Sequence, residues 1–245
     1  MKFISVDDIF RNSKPPIAMS ISNLPLFIYL FLLLQTLFTP LSAQSGSIQR
    51  VAILACHRQN EPSPALAKYI AAKPDLCLWI GDNVYADTRD NISFIEACYN
   101  TLAAKPDFQT LKTTVPYLAT WDDHDFGLND AGKEYKLKSQ SKDLFRKFWG
   151  LEQEIPAAQE GIYYAKTFKQ EDQTLQVIML DVRYNRDAPD GKGDVLGEAQ
   201  WKWLEAQLRQ PATLRLIVSG FQILLNQEAG SETWDFFSEI PPTFV

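Results

Sequence analysis

Histidine and cysteine are scarce in this chain, two and three respectively among 245 residues. Three cysteines are too few for a disulfide framework, and an odd count leaves at least one thiol unpaired. Basic residues are outnumbered, 24 Lys and Arg against 30 Asp and Glu, for a net charge of −6. That balance argues against a nucleic-acid-binding surface and against docking on anionic headgroups. A phosphate-bearing ligand would have to be met locally, by metal or by a few arginines. Repeats and low-complexity tracts are also missing. What remains is 46% hydrophobic and 12% aromatic, a globular composition long enough for one domain with a sizeable core, or two small ones.

One long hydrophobic run occurs, Leu24 to Phe38 ("LPLFIYLFLLLQTLF"), with Lys2, Arg11 and Lys14 upstream and "TPLSAQS" downstream. It is shorter than the ~20 residues that span a bilayer and has the length of a signal-peptide core, with cleavage around Ala43. Asp7 and Asp8 interrupt the basic lead-in, so translation from Met19 would give a tidier leader. The alternative is an uncleaved anchor at residues 24–38. Residues 1–43 are therefore set apart as signal peptide or N-terminal anchor, and the protein is expected to be exported, to the periplasm or beyond. Asn91 opens "NIS", a glycosylation sequon in a eukaryotic secretory pathway.

Past the leader, short apolar runs alternate with amphipathic stretches. Strands are expected at 50–56, 75–80, 115–121, 161–168, 174–181 and 214–220, and helices at 62–73, 91–104, 138–150 and 196–210. The helix at 196–210 should place Trp201, Leu204 and Leu208 on one face. Such alternation predicts an α/β layered sheet with parallel members. Cys77 sits in the buried-looking "LCLWI", where cysteine acts as a small apolar residue, and Cys98 in a helix with no evident chemistry.

Four of the expected strands run straight into polar clusters: "CHRQN", "GDNVYAD", "DDHDFGLND" and "DVRYNRD". In open α/β sheets, ligands collect outside the carboxyl ends of the strands, so these clusters should converge. Asp, His, Asn, Tyr and thiolate are metal ligands, and crowded carboxylates are costly unless a cation neutralises them. Two metals could polarise a phosphoryl oxygen and activate a water for in-line attack. One Asp-rich loop alone would be read as turn and cap chemistry. His57 alone would be an ordinary polar neighbour, and Cys56 alone an apolar filler. A calcium loop over 123–134 fails because the position that needs glycine holds Leu128 and a strand precedes it. Four clusters at four strand ends favour a site.

"GDNVYADT", "WDDHDFGLNDAG", "LDVRYNRD" and "LGEAQWKWLEAQL", in that order, resemble the PhoD-like alkaline phosphatases of the metallophosphatase superfamily. "ACHRQNEP" is similar to that family's opening "SC-x-R-Q", with alanine in the serine position. The resemblance spans roughly residues 48–234 and implies a calcineurin-like α/β/β/α sandwich. It implies a phosphomonoesterase or phosphodiesterase acting on a small phosphate ester through Fe3+ together with Ca2+ or another divalent metal. Position by position, it implies Cys56 as thiolate ligand, Asp82 as bridging carboxylate and Tyr85 as tyrosinate. Asp123 matches a metal-binding position in the catalytic group, and His124 the residue that protonates the leaving group or stabilises the transition state. Asn129 is a candidate second-metal ligand. Asn83 and Arg183 are implied at the substrate, Arg183 with Arg186 as a phosphate fork.

The family pattern continues to a "GDVH"-type motif that supplies further ligands, whereas this sequence runs to "SETWDFFSEIPPTFV". A sandwich incomplete at the C-terminus is therefore expected, with residues 235–245 as a non-family tail and weak or absent activity. The competing expectations are a catalytically inactive remnant that still binds metal and, from another class, a secreted calcium-binding adhesion module.

Overall fold

In a computed structural model of the chain, residues 48–188 and 193–223 are described. The expected leader or anchor at 1–43, the end of the expected domain at 224–234 and the tail at 235–245 lie outside them. Among the described residues, no helix is long and apolar enough to cross a membrane.

Strands β1 (Val51–Leu54), β2 (Leu76–Ile80) and β3 (Tyr117–Thr120) form an all-parallel sheet in that order. Ala52 stands opposite Cys77, and Cys77 opposite Tyr117. The central strand is apolar throughout because helices and a second sheet cover both its faces, and Leu76, Cys77, Leu78 and Trp79 are all buried. Its crossovers are helical, as parallel pairing requires. Helix α1 (Pro64–Ala72) begins on a proline, whose missing N–H costs nothing in the first turn, and stops at Lys73 in the left-handed region. Helix α2 (Ile92–Ala103) buries Ile95, Cys98, Tyr99 and Leu102, one face at helical spacing. Its N-cap is the sequon residue Asn91, whose side chain accepts from the Phe94 N–H at 3.2 Å.

Helix α3 (Pro106–Thr114) was not expected from the sequence. It buries only Phe108 and Leu111, too sparse a stripe to register as a period beside three threonines. Those two residues nonetheless close the aromatic core: Trp79 lies 5.3 Å from Phe108 and 5.4 Å from Trp149, which ends helix α5 (Lys138–Trp149). Between β3 and α5, the four residues Asp123–Phe126 form a short turn of helix, α4.

The second sheet is mixed. Strands β4 (Tyr164–Gln170) and β5 (Gln173–Met179) make an antiparallel hairpin, and β6 (Leu214–Val218) lies parallel to β5 after a crossover through α6 (Glu198–Leu208). Side chains of β5 alternate: Val177 and Met179 enter the core shared with the first sheet, and Ile178 enters a second core with Leu196, Leu204 and Phe221. On α6 the buried pair is Leu204 and Gln200, with Trp201 and Leu208 only partly covered. Gln200 is inside because its amide closes both backbone groups of Asp181, at 2.9 and 2.7 Å.

The two sheets meet along β3. Tyr164 of β4 bonds both backbone groups of Ala119, and Thr120 Oγ1 donates to the Leu180 carbonyl at 2.7 Å. Trp121 Nε1 then donates to Asp181 Oδ1 at 2.9 Å. The architecture is the expected α/β class, an all-parallel and a mixed sheet. Because the seam aligns the ends of β3 and β5, the fourth polar cluster reaches the other three from a different sheet.

Candidate metal centre

Cys56 follows β1, Asp82 follows β2, and Asp122, Asp123 and His124 follow β3. The turn after β2 is tight. Gly81 adopts φ +119°, and a Cβ there would sit 2.7 Å from the Asp122 Cβ, so only glycine allows the β2 and β3 ends this close. Cys56 and Asp82 both occupy the left-handed region, at φ 53° and 52°. Aspartate tolerates that region better than most residues, cysteine does not, and such conformations persist where surrounding bonds enforce them. Here the Cys56 N–H reaches the Gly81 carbonyl at 3.3 Å and the His57 N–H reaches the Asp82 carbonyl at 2.7 Å.

Asp82, Asp123 and His124 each offer a ligand atom, and these atoms all lie within 4.8 Å of one another. Cys56 and Tyr85 join the group through Asp82: the thiol is 3.6 Å and the phenol 3.2 Å from Asp82 Oδ2. The other oxygen, Asp82 Oδ1, is buried with no hydrogen-bond partner. A buried unpartnered carboxylate oxygen normally costs stability, and a cation is what such an oxygen can satisfy. The electrostatics point the same way. Burial and the neighbouring Asp123 charge raise the Asp82 pKa. Burial and Asp82 likewise raise the Cys56 thiol and the Tyr85 phenol. The group as it stands resists carrying its full negative charge, and a bound cation inverts that preference. The donor set therefore fits a metal ion.

Asp123 is held differently. Burial works against its ionisation, but the Arg183 charge and the Asp130 N–H, at 2.8 Å from Asp123 Oδ2, outweigh it and lower the pKa. His124 Nδ1 lies 2.9 Å from both oxygens of Asp87, and its ring stacks 4.2 Å from Tyr85. Burial alone would lower the His124 pKa; the Asp87 hydrogen bond and the Asp123 and Asp82 charges overcome it and raise it. Asp87 thus fixes the imidazole and leaves Nε2 as the nitrogen it does not hold.

Two residues expected at the substrate are placed otherwise. Asn83 is wholly buried, its amide donating to Asp125 at 2.6 Å and to the Thr120 carbonyl at 2.8 Å. Arg183 has no exposed side-chain surface; its Nε donates to Asp122 Oδ1 at 2.6 Å, and Nη2 lies 3.8 Å from Asp123. Both are turned inward because the seam between the sheets buries them, so they position the site's walls. Arg186 is equally buried, bonded to the Asp130 and Asp187 carbonyls, so the pair is not a surface fork. Asn129 is exposed and donates to Asp130 Oδ2 at 2.6 Å, one residue from the N–H that holds Asp123. The other histidine, His57, bonds Ser63 Oγ at 3.2 Å and stays neutral, its pKa lowered to about 4 by burial and then by Lys105.

Three organising residues escaped the sequence reading. Asp125, buried, accepts from the backbone N–H groups of Asp82, Asn83 and Asp122, at 3.2, 3.1 and 2.7 Å, stitching the β2 and β3 ends together. Its signal was the capping spacing of Asp122 and Asp125 around the short helix. Gln59 clamps both backbone groups of Tyr85 at 2.9 Å. Asp87, as His124's partner, had no local signal. Open cavities of about 600 and 780 Å3 lie elsewhere, against α6 and the β4–β5 hairpin.

Fold and site together define a class: an α/β domain whose strand ends gather a carboxylate–imidazole group able to hold a metal ion. No protein-family model and no curated protein matches the sequence. A solved structure of PhoD shares the fold, with a TM-score of 0.59 over 76% of this chain at 16% identity. The chain spans 45% of the length of that PhoD chain.

Proposed function

We propose that this chain is the metal-binding part of an exported phosphoric ester hydrolase acting on small phosphate monoesters or diesters. The observation that carries the reading is the buried, unpartnered Asp82 Oδ1 inside the Asp82–Asp123–His124 group, on a fold shared with PhoD. Asp82, Asp123, Cys56 and Tyr85 would hold an iron with calcium or another divalent metal, and Asn129 is a candidate further oxygen donor. When bound, the metal supplies Lewis acidity and acidifies a water to near-neutral pKa.

The chain's own residues supply the rest. Arg183, behind the site, keeps Asp123 ionised and so ready to bind. Asp87 orients the imidazole through Nδ1, so that a proton is held at His124 Nε2 for the departing alkoxide. Asp125 and Gly81 keep the β2 and β3 ends at a spacing where their carboxylates face one ion.

The test is metal analysis of the purified chain with p-nitrophenyl phosphate and bis-p-nitrophenyl phosphate as substrates. Bound metal and turnover, both lost in Asp82→Asn, are expected. Stoichiometric metal without turnover would replace the hydrolase reading with a metal-binding remnant. No metal uptake at all refutes the site.

A further inference from the structure

We propose that Arg58 is the residue that grips the tetrahedral oxyanion of the substrate; the assignment rests on the hydrolase reading above. Arg183, behind the site, is committed to Asp122 and Asp123. Arg58 is exposed and carries no ion pair or side-chain hydrogen bond among the described residues. Its guanidinium carbon lies 4.6 Å over the ring of Tyr85. That ring bonds Asp82 Oδ2 through its hydroxyl at 3.2 Å and stacks 4.2 Å from His124. An arginine held over this tyrosine stands at the lip of the Asp82–Asp123–His124 group.

The placement is built by the backbone around it. His57 N–H is tied to the Asp82 carbonyl at 2.7 Å, and the Gln59 side chain is clamped to both backbone groups of Tyr85. The residues on either side of Arg58 are therefore fastened to the two site residues it overlooks. The cation–π contact holds the guanidinium over the ring, and its N–H groups, which carry no protein hydrogen bond among the described residues, can present two donors to a phosphoryl oxygen pair. Anchored flanks reduce the ordering cost of that contact. An anionic ester approaching a site lined by Asp82, Asp87, Asp122 and Asp123 needs a cation outside the carboxylate ring, and Arg58 supplies it.

The test uses the full chain loaded with metal, comparing wild type, Arg58→Gln and Arg58→Lys. Readouts are KM and kcat for p-nitrophenyl phosphate, the inhibition constant of inorganic phosphate, direct calorimetric titration with inorganic phosphate, and metal content. Arg58→Gln should raise KM and the phosphate inhibition constant about ten-fold, the size of a lost charge-assisted contact, with metal content unchanged. Arg58→Lys should recover the charge but not the fork, and fall between. Turnover with unchanged KM and inhibition constant in Arg58→Gln overturns the assignment and leaves the hydrolase reading standing. Should wild type bind metal but not turn over, the hydrolase reading fails on its own. Phosphate titration then decides Arg58: about ten-fold weaker binding in Arg58→Gln sustains the anion grip, and equal binding overturns it.

Discussion

Arg183→Met should destabilise the chain by about 3–5 kcal/mol, because it strips a buried guanidinium from one buried and one largely buried carboxylate. The side chain has no exposed surface, and its partners Asp122 and Asp123 are 15% and 8% exposed. Methionine refills most of the volume, so the loss measures charge and hydrogen bonding rather than a cavity. At this chain length about 1 kcal/mol moves Tm by ~2–4 °C, which puts the expected fall near 10 °C. The loss should depend on pH with a definite sign. Burial, only partly offset by Arg183, raises the Asp122 pKa to about 7. A carboxyl whose folded pKa is raised contributes stability at low pH and loses it as pH rises from its unfolded value through the folded one. Removing Arg183 lifts that pKa further, so the gap between variant and wild type should widen from pH 5 to pH 8. Thermal melts by circular dichroism in EDTA, at both pH values, measure it. The double variant with Asp122→Asn should cost much less than the sum of the single changes. A loss under about 1 kcal/mol that is flat with pH, as for an exposed pair, would refute the reasoning.

Two further outcomes follow from the packing. Gly81→Ala should cost about 2–4 kcal/mol and abolish metal uptake, since φ +119° strains alanine and its Cβ meets Asp122 at 2.7 Å; melts and metal analysis read both, and intact metal binding would show that the β2 and β3 ends need not be this close. Tyr135, 4% exposed, donates to the Thr88 carbonyl at 2.8 Å, and burial raises its pKa to about 12. The folded state thus protects the neutral phenol, and its contribution, complete below about pH 10, is lost by about pH 12. Tyr135→Phe should accordingly be the less stable protein at pH 8 by about 1–2 kcal/mol and lose that deficit by pH 12 in urea titrations.

Much of the fold was legible because its signals are local. Short apolar runs marked the strands of both sheets, four of them leading into polar clusters, and the spacing of Ile95, Cys98, Tyr99 and Leu102 marked a helix face. The residues of the site were also legible one at a time, as ligand types at strand ends. Their partners were not. His124 finds Asp87 across 37 positions, Tyr85 finds Gln59 across 26, and Arg183 finds Asp122 across 61. No period or spacing encodes such pairings, because they arise only when parallel strands and the seam between two sheets bring distant turns together. Helix α3 was missed for a related reason, since Phe108 and Leu111 are two apolar residues whose purpose is supplied by Trp79 and Trp149.

By itself the sequence determined the α/β class, the strand ends that carry chemistry and the surplus of carboxylate that calls for a cation. Tertiary structure decided which of those groups face one another. It turned Asn83 and Arg183 inward, because burial between sheets demands paired partners for an amide and a guanidinium. It left Asp82 Oδ1 buried with none, and that unsatisfied oxygen is what marks the strand ends as a candidate metal centre.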